Sequence, residues 1–318
     1  MKGHRIIFMG TPPFAVASLN ALVQGGIDVA AVVTAPDRPA GRGQQLRSSA
    51  VKERALELGL PVLQPEKLKA PEFHAQLDAF GASLYIVVAF RMLPEVVWDR
   101  PAMGTINLHA SLLPDYRGAA PLNWAVINGE TVTGVTTFFI QQAIDTGDLL
   151  LRKEIPIGPD ETAGELHDRA MLIGGELLTR TVKDVFDGTV ERQPQSAFVG
   201  DAVHHAPKLD PSNCRIDATR KAKQVHDHIR GLSPLPAAWA KWIAPEQPPT
   251  HFKVLRSRIH DRLSADEAGT LSVEDGRLLL QCADGRVELL EVQPEGKRRM
   301  TATELVRGLR RTDGLRLG

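Results

Sequence analysis

Hydrophobic positions follow two different spacings along the first 190 residues. Short apolar runs predict buried strands, and the candidates are Arg5–Met9, Val29–Thr34, Leu84–Ala89, Gly104–Leu108 and Val135–Ile140. Between these runs, apolar residues recur at helical spacing in Phe14–Val23, Val51–Leu58 and Ala163–Phe186. Strands that alternate with helices are typical of a parallel sheet covered by helices. The pattern therefore predicts an α/β domain whose sheet is mostly parallel, with helices on both faces.

The pattern changes after residue 189. Residues 190–210 have little apolar periodicity and contain Pro194, Gly200 and Pro207, so they predict a linker. A helix is predicted at Ala218–Arg230. It is followed by β-rich runs that include Arg277–Cys282 and Val287–Val292, with the turn pairs Asp275-Gly276 and Asp284-Gly285 before and between them. Short strands joined in this way predict a small barrel or sandwich. The expected organisation is a domain at 1–189, a linker at 190–210 and a second domain at 211–318.

Composition agrees with a folded protein outside the membrane. Hydrophobic residues make up 43% of the chain and charged residues 24%, which is ordinary for globular domains. The apolar run Ile6–Met9 is too short for a signal-peptide core, and no run approaches the roughly 20 apolar residues of a spanning helix. The two cysteines, Cys214 and Cys282, are too few and too far apart to indicate a disulfide framework or a zinc site. We therefore expect a cytoplasmic protein with reduced thiols.

Charge is distributed unevenly although the formal net charge is zero. Residues 208–318 hold 20 Lys and Arg against 15 Asp and Glu, whereas residues 1–207 hold 18 against 23. The second domain is therefore mildly basic, which is compatible with a polyanionic partner. A difference of this size also occurs in proteins that never bind nucleic acid.

Candidate chemistry lies at the end of the fourth predicted strand. Asn107 and His109 are two residues apart, so in extended backbone their side chains point to the same side. Asp145 follows the fifth predicted strand in the turn Ile144–Asp148. An amide donor and an imidazole aimed at one point suit chemistry at a carbonyl carbon, and a carboxylate can orient the imidazole. Taken alone, an Asn-x-His pair is more often an incidental pair in a loop.

Other catalytic patterns are not supported. Gly10 ends the first strand in a Rossmann-like position, but prolines follow it where a dinucleotide-binding loop has further glycines. Gly10 is therefore expected to form a tight turn and not to bind NAD or FAD. No serine or cysteine lies in a nucleophile elbow, and no metal-ligand spacing occurs, so no metal site is predicted.

These residues resemble a known family. Asn107, His109 and Asp145, with the run Ser111-Leu112-Leu113-Pro114 between them, are similar to the signature of the 10-formyltetrahydrofolate-dependent formyltransferases. The resemblance implies direct attack of an amine on the formyl carbon, with no metal and no covalent intermediate. It implies that Asn107 and His109 stabilise the oxyanion, and that Asp145 supports His109 and proton removal. It also implies a folate site at Ser111, Leu112, Leu113, Pro114, Phe90, Met92 and Leu93.

Further segments resemble the members of this family that act on methionyl-tRNA. They are Gly10–Phe14, Thr34–Gly43, Arg215–Asp217, Ile229–Pro236 and Gly296–Met300. This resemblance implies an OB-like second domain that binds tRNA, a monomeric enzyme, methionyl initiator tRNA as acceptor and 10-formyltetrahydrofolate as donor co-substrate. It also assigns tRNA contacts to Arg38, Arg42 and Arg47, in a Pro/Gly-rich segment that we expect to be poorly structured until RNA orders it.

Two departures and two alternatives remain. Arg91 stands where the family usually has glycine, and Gln44-Gln45 stand where relatives often have lysines. A formyltransferase acting on a small amine, such as a nucleotide sugar or glycinamide ribotide, would keep Asn107, His109 and Asp145 but would lack the basic segment and the basic second domain. A non-catalytic RNA-binding protein would have no need for Asn107 and His109.

Overall fold

The computed structural model describes residues 3–40, 45–198, 203–260 and 266–318, without the side chains of Ala40 and Gln45. The chain forms two compact units, and each is assembled from separate stretches of sequence. The first unit is Met1–Gly118, Gly134–Ile155 and His167–His205. The second unit is Ala119–Thr133, Pro156–Leu166 and Ala206–Gly318. The predicted RNA contact Arg42 lies outside the described residues.

The elements up to residue 118 alternate as the hydrophobic pattern predicted. They are β1 (Ile6–Gly10), α1 (Pro13–Gln24), β2 (Val29–Val33), β3 (Arg38–Ala40), β4 (Gln45–Arg47), α2 (Ala50–Glu57), β5 (Val62–Leu63), α3 (Pro71–Ala79), β6 (Leu84–Val88), α4 (Glu95–Trp98), β7 (Thr105–His109) and β8 (Arg117–Gly118). Next come α5 (Pro121–Ile127), β9 (Val132–Phe139), β10 (Leu149–Pro156), α6 (Ala163–Phe186), a 3-10 helix (Gln195–Phe198) and β11 (His205–Ala206).

A seven-stranded sheet with the order β10-β9-β7-β6-β1-β2-β5 forms the centre of the first unit. From β7 to β5 the neighbouring strands are parallel, whereas β9 runs antiparallel to β7. All five residues of β1, β2 and β6 are buried, as expected for strands covered on both faces. The predicted mostly parallel, Rossmann-like α/β sheet is confirmed.

Helix α6 has the bounds that its periodicity predicted. Leu166, Ala170, Leu178, Val182 and Val185 are buried along one side, whereas Leu172 on the other side is 62% exposed. Thr162 stabilises the first turn because its hydroxyl accepts a hydrogen bond from the backbone N–H of Glu165, whose carboxylate accepts one from the N–H of Thr162. This reciprocal pair is a capping box, and it determines where the helix begins.

The second unit is completed by the elements after residue 206. They are α7 (Ala222–Gly231), β12 (Ala238–Ile243), β13 (Thr250–His260), β14 (Leu271–Glu274), β15 (Arg277–Gln281), β16 (Arg286–Pro294), β17 (Met300–Thr301), α8 (Ala302–Arg307) and β18 (Arg316–Leu317). Helix α7 begins four residues later than predicted. Asp217 accepts hydrogen bonds from the backbone N–H and the hydroxyl of Thr219, so the chain turns there before it enters the helix.

The strands of the second unit form a nearly closed antiparallel barrel. Their order is β14-β15-β16-β13-β12-β18, and an antiparallel bridge between Thr270 and Arg316 links the first strand to the last. The turn between β14 and β15 is the predicted Asp275-Gly276 pair, with φ of 50° and 75°, as a tight hairpin turn requires. The core includes Phe252, Leu278 and Leu289. The predicted barrel is therefore confirmed.

The segment around the predicted tRNA-binding arginines differs from expectation. Residues 38–40 and 45–47 form the antiparallel strands β3 and β4, with Arg38 directly opposite Arg47. The expectation of a poorly structured segment was wrong for these six residues, because the prolines and glycines that suggested it do not interrupt the described pairs. We call these two paired strands the arginine hairpin. None of the helices in the described part of the chain has both the length and the hydrophobicity that crossing a bilayer requires.

Candidate active site

Asn107 and His109 lie at the end of β7, where β6 and β9 flank it. Asn107 pairs with Val87 of β6 and Phe138 of β9, and His109 is opposite Thr136 of β9. Because residues two apart in a strand share a face, both side chains point to the same side of the sheet. Asn107 is half-buried and His109 is buried. The strand therefore holds an amide and an imidazole side by side at its carboxyl end, where ligands of open α/β sheets bind.

Hydrogen bonding determines which nitrogen of His109 is available. Nε2 lies 3.0 Å from the backbone carbonyl oxygen of Tyr116, and only an N–H can make that bond. Nε2 is therefore the donor. Nδ1 lies 3.9 Å from Oδ2 of Asp145, beyond hydrogen-bond length, and the two side chains are only 8% and 11% exposed. In the neutral ring Nδ1 carries a lone pair, so it is the atom that can accept a proton, beside a carboxylate that stabilises the resulting charge.

The turn that carries Asp145 has a constrained backbone. Asp145 has φ of 54°, in the left-handed region that aspartate tolerates better than most residues. Its Oδ2 accepts a hydrogen bond from the backbone N–H of Gly118 at 3.1 Å. A Cβ at Gly147 would lie 1.6 Å from the carbonyl oxygen of Phe139, so only glycine fits there. The turn is thus packed against β9 and tied to the segment after His109.

The predicted linker supplies residues that the sequence did not identify. Gln195, which is 5% exposed, donates from Nε2 to the carbonyl oxygens of Asp145 (2.8 Å) and Gly147 (2.9 Å). Its Oε1 accepts a hydrogen bond from Arg117 at 2.6 Å. The backbone N–H of His204 donates to the carboxylate of Asp115 at 2.6 Å. No sequence signal distinguished these residues, because a single glutamine in a Pro/Gly-containing stretch reads as solvent-exposed.

The run Ser111-Leu112-Leu113-Pro114 forms a rigid turn beside this site. The Ser111 hydroxyl donates to the carbonyl oxygen of Asp115 at 2.6 Å, and the Thr136 hydroxyl donates to the carbonyl oxygen of Ser111 at 2.6 Å. The Leu113 side chain is buried in a cluster with Phe138 and Leu149. Ser111 and Leu113 therefore hold the turn in place, and Leu112 is more accessible than either.

The other predicted folate segment follows β6. Phe90 and Leu93 are half-buried against the core of the first unit, whereas Met92 is 73% exposed. Arg91, which departs from the family pattern, donates to the backbone carbonyls of Pro65 and Glu66. Burial lowers the pKa of Arg91. Arg91 therefore ties this segment to the loop after β5, a contact that glycine could not make.

The arginine hairpin is anchored at its base. Arg38 and Arg47 are exposed and opposite each other, an arrangement in which like charges repel. Just before β3, the carboxylate of Asp37 accepts hydrogen bonds from Lys52 and, at 2.8 Å, from Gln64. The hydrogen bond from Lys52, together with that from Gln64, lowers the pKa of Asp37. The predicted RNA contacts Arg38 and Arg47 therefore lie together on one hairpin.

Other reactive groups do not form a second centre in the described ranges. In residues 3–40, 45–198, 203–260 and 266–318, no three His, Cys, Asp or Glu side chains are grouped to hold a metal ion. Cys214 and Cys282 are free and buried, and burial raises the pKa of Cys282 to about 12. A thiol with that pKa stays protonated at neutral pH and is a poor nucleophile.

Comparison with known proteins agrees with this geometry. Residues 4–182 match the formyl transferase family, and residues 208–310 match the C-terminal domain of formyl transferases. A methionyl-tRNA formyltransferase of Bacteroides thetaiotaomicron is 48% identical over 317 residues, covering 98% of each chain. One from Flavobacterium johnsoniae is 47% identical over 313 residues, again covering 98% of each.

Solved structures show the same fold at low identity. A sugar 3N-formyl transferase, WlaRD, studied with dTDP and 5-N-formyl-THF, has a TM-score of 0.64 at 16% identity and covers 93% of this chain and 99% of its own. HypX from Aquifex aeolicus, in complex with tetrahydrofolic acid, has a TM-score of 0.64 at 16% identity, over 95% of this chain and 46% of its own. With both domain matches and relatives nearly half identical from end to end, the chain belongs to the formyl transferase family, alongside the methionyl-tRNA formyltransferases.

Proposed function

We propose that this protein transfers the formyl group of 10-formyltetrahydrofolate to the α-amino group of methionyl initiator tRNA. One observation carries the proposal: Asn107 and His109 share a face at the end of β7, with Asp145 beside His109, in a chain that matches methionyl-tRNA formyltransferases over 98% of its length. The identity of the acceptor rests on those relatives, and the chemistry rests on the geometry. A cytoplasmic, monomeric enzyme is part of the same proposal.

The reaction needs an oxyanion donor and a proton acceptor. The amine nitrogen of the methionyl group attacks the formyl carbon on N10, and the carbonyl oxygen becomes an oxyanion. The amide of Asn107 donates a hydrogen bond to this oxygen, and the imidazole of His109 stabilises it once Nδ1 carries a proton. Nδ1 of His109, beside Asp145, then accepts the proton that the attacking amine loses. Cleavage of the carbon–N10 bond returns a proton to N10, which gives formylmethionyl-tRNA and tetrahydrofolate.

The donor site is assigned to two segments that border Asn107. The turn Ser111–Pro114 is held by Thr136, and the segment Phe90–Leu93 is held by Arg91. Phe90 and Leu93 supply an apolar, half-buried surface suited to a flat pterin ring. Formyl transfer itself uses no metal in this scheme, because Asn107, His109 and Asp145 supply every group that the steps above require.

The acceptor site is assigned in the first unit to the arginine hairpin. Arg38 and Arg47 repel each other across β3 and β4, and a phosphate placed between them would relieve that repulsion. Asp37 fixes the base of the hairpin through Lys52 and Gln64, so the two cations are presented in a defined position. Arg42, which lies outside the described residues, is assigned to the same RNA contact on the family resemblance of its sequence.

The second unit offers a complementary surface. The rings of Trp239 and His251 stack at 5.1 Å with an interplanar angle of 16°, and the guanidinium of Arg215 lies 6.0 Å from the Trp239 ring. Lys241 and Lys253 lie on the same face of β12 and β13. Burial, with these two lysines, lowers the pKa of His251. Flat groups beside cations are suited to bases and phosphates of RNA, where stacking is worth about 1–3 kcal/mol per base.

A competition assay tests the proposal. The protein is given 10-formyltetrahydrofolate with methionyl initiator tRNA, methionyl elongator tRNA and free small amines in the same reaction. We expect formylation of the initiator tRNA at least about a hundredfold faster than that of the small amines. Preferred formylation of a nucleotide-sugar amine or glycinamide ribotide would establish the small-amine alternative, and no formylation at all would leave a non-catalytic RNA-binding role.

A further inference from the structure

Gln195 is a buried polar residue that forms hydrogen bonds with two segments close to His109. One segment is the turn of Asp145 and Gly147, whose carbonyl oxygens accept both hydrogens of the Gln195 Nε2. The other is Arg117-Gly118, where Arg117 donates to Gln195 Oε1 and Gly118 N–H donates to the Asp145 carboxylate. Every polar atom of the Gln195 side chain is therefore used, and its amide can adopt only one orientation, since a carbonyl cannot donate.

We propose that Gln195 is a positioning residue for formyl transfer: it fixes the Asp145 turn to the Arg117-Gly118 segment and so sets the distance between Asp145 and His109. This inference rests on the proposed function. The same segment also orients His109, because Nε2 of His109 donates to the carbonyl of Tyr116, which directly precedes Arg117. Gln195 thus connects the backbone that orients the imidazole with the backbone that carries the carboxylate.

The backbone of the turn needs such a support. Asp145 has a positive φ. Its side chain accepts a hydrogen bond at Oδ2 from the backbone N–H of Gly118. The two carbonyl oxygens that Gln195 satisfies belong to Asp145 itself and to Gly147, where the chain touches Phe139. An apolar side chain at position 195 would take this donor from the buried Gly147 carbonyl and the part-buried Asp145 carbonyl, and the turn would move to reach water. A shift of about 1 Å can lower turnover a hundredfold.

Two substitutions separate the contacts of Gln195. Gln195→Met removes all three hydrogen bonds. Gln195→Glu keeps an acceptor for Arg117 and removes both donations to the Asp145 turn. It therefore retains the hydrogen bond from Arg117 and loses the other two. Gln193→Met is the matched control: Gln193 is exposed, lies two residues before Gln195, outside the 3-10 helix, and its backbone pairs with Leu149.

The readout is kcat and KM for both substrates, with the melting temperature as a check on folding. For Gln195→Met and Gln195→Glu we expect kcat to fall about tenfold to a hundredfold, with KM for the donor and for the tRNA within about threefold of wild type. Gln193→Met should match wild type. Turnover within threefold of wild type in a folded Gln195→Glu would overturn the proposal, because the Arg117 contact alone would then suffice.

A double-mutant cycle shows whether Gln195 acts through Asp145. In an Asp145→Asn background, Gln195→Glu should lower kcat by less than about threefold, because the carboxylate it positions is already absent. A full additional loss would overturn the positioning role. The proposed function and the role of Gln195 can be rejected separately. Normal turnover in Asp145→Asn alone would remove Asp145 from the proposed chemistry. A large loss of turnover in Asp145→Asn, with no loss in Gln195→Glu, would reject only the role of Gln195.

Discussion

At the scale of single residues, the chemistry depends on groups held by backbone. His109 is held through Nε2 by the Tyr116 carbonyl, and Asn107 by its place between Val87 and Phe138 in the sheet. Neither residue is a large part of the hydrophobic core. Their removal should therefore affect formyl transfer far more than it affects folding.

We predict that His109→Ala and Asn107→Ala each lower turnover at least about a hundredfold, as expected for loss of an acid–base group or an oxyanion donor. Melting temperatures should change by only a few degrees. Steady-state formylation of methionyl-tRNA measures the first effect and thermal unfolding the second. The control is His167→Ala, at an exposed histidine, which should keep wild-type turnover. Near-normal activity of folded His109→Ala would show that the site assignment is wrong.

The sequence identified some of these residues and missed others for a physical reason. Asn107, His109 and Asp145 were found because they follow strands that hydrophobic runs predict, in a pattern that resembles a family. Gln195 and Tyr116 were not found, because their roles depend on contacts between distant segments. A buried glutamine is exceptional for its residue type, and nothing local to Gln195 signals that it is buried.

At the scale of elements, the prediction was confirmed where the residues of a single segment determine its structure. The α6 bounds follow from its apolar spacing and its capping box at Thr162. The strands β5 and β10 were missed: β5 has only two residues, and β10 changes from Leu149-Leu150-Leu151 to the charged run Arg152-Lys153-Glu154. The arginine hairpin was missed because cross-strand pairing overrides the turn signal of its prolines and glycines.

The arginine hairpin leads to a prediction about salt. If Arg38 and Arg47 contact phosphates, the variant Arg38→Gln/Arg47→Gln should reduce the slope of log affinity for tRNA against log salt concentration by about 2. Binding of a folate analogue should change much less, because Arg38 acts on the assigned folate segment through its charge near Arg91 and not through a phosphate contact. Filter binding at several salt concentrations gives the slope.

The control for the hairpin is Arg180→Gln, which removes one positive charge from an α6 residue whose side chain is 73% exposed. It should leave the slope as it is. An unchanged slope in the hairpin double variant would exclude both arginines from phosphate contact and would leave tRNA binding to the second unit. Arg42, outside the described residues, can be tested in the same way.

At the scale of the whole molecule, the linear domain boundaries describe only part of the organisation. The proposed boundaries 1–189, 190–210 and 211–318 remain a prediction. The second unit also includes Ala119–Thr133 and Pro156–Leu166, which precede the predicted linker in sequence. Ile127 of α5 belongs to the same hydrophobic cluster as Ile229 of α7. Sequence patterns reveal that such segments are apolar, but not which distant segment they pack against.

Helix α7 holds one of these distant segments in the second unit through buried polar groups. Arg230 donates to the carbonyl oxygens of Gly158 and Glu161, and its Nε pairs with Asp227. His226 contacts the hydroxyl of Ser257 at 3.0 Å and the carbonyl oxygen of Pro159 at 3.2 Å. Because these bonds join residues 156–166 to α7, the protonation of His226 bears on the stability of the whole unit.

Burial lowers the pKa of His226. The charge of Arg230 acts in the same direction, whereas the Pro159 carbonyl and the carboxylates of Asp227 and Asp160 oppose it. The unfolded chain, with a histidine pKa of about 6.5, then binds protons that the folded protein does not. This contribution to the free energy of unfolding is complete above pH 6.5 and is lost as pH falls from there toward the lower folded pKa. His228, whose pKa burial also lowers, contributes with the same sign.

We therefore predict that the free energy of unfolding falls as pH is lowered from 7 to 5, a window above the range in which carboxylates titrate. Urea unfolding at half-unit steps of pH measures it. In His226→Gln, which keeps a polar side chain of similar size, the fall should be shallower, because one of the histidines whose pKa burial lowers no longer takes up a proton on unfolding. If His226→Gln kept the wild-type slope, the link between the burial of His226 and the stability of the second unit would be lost.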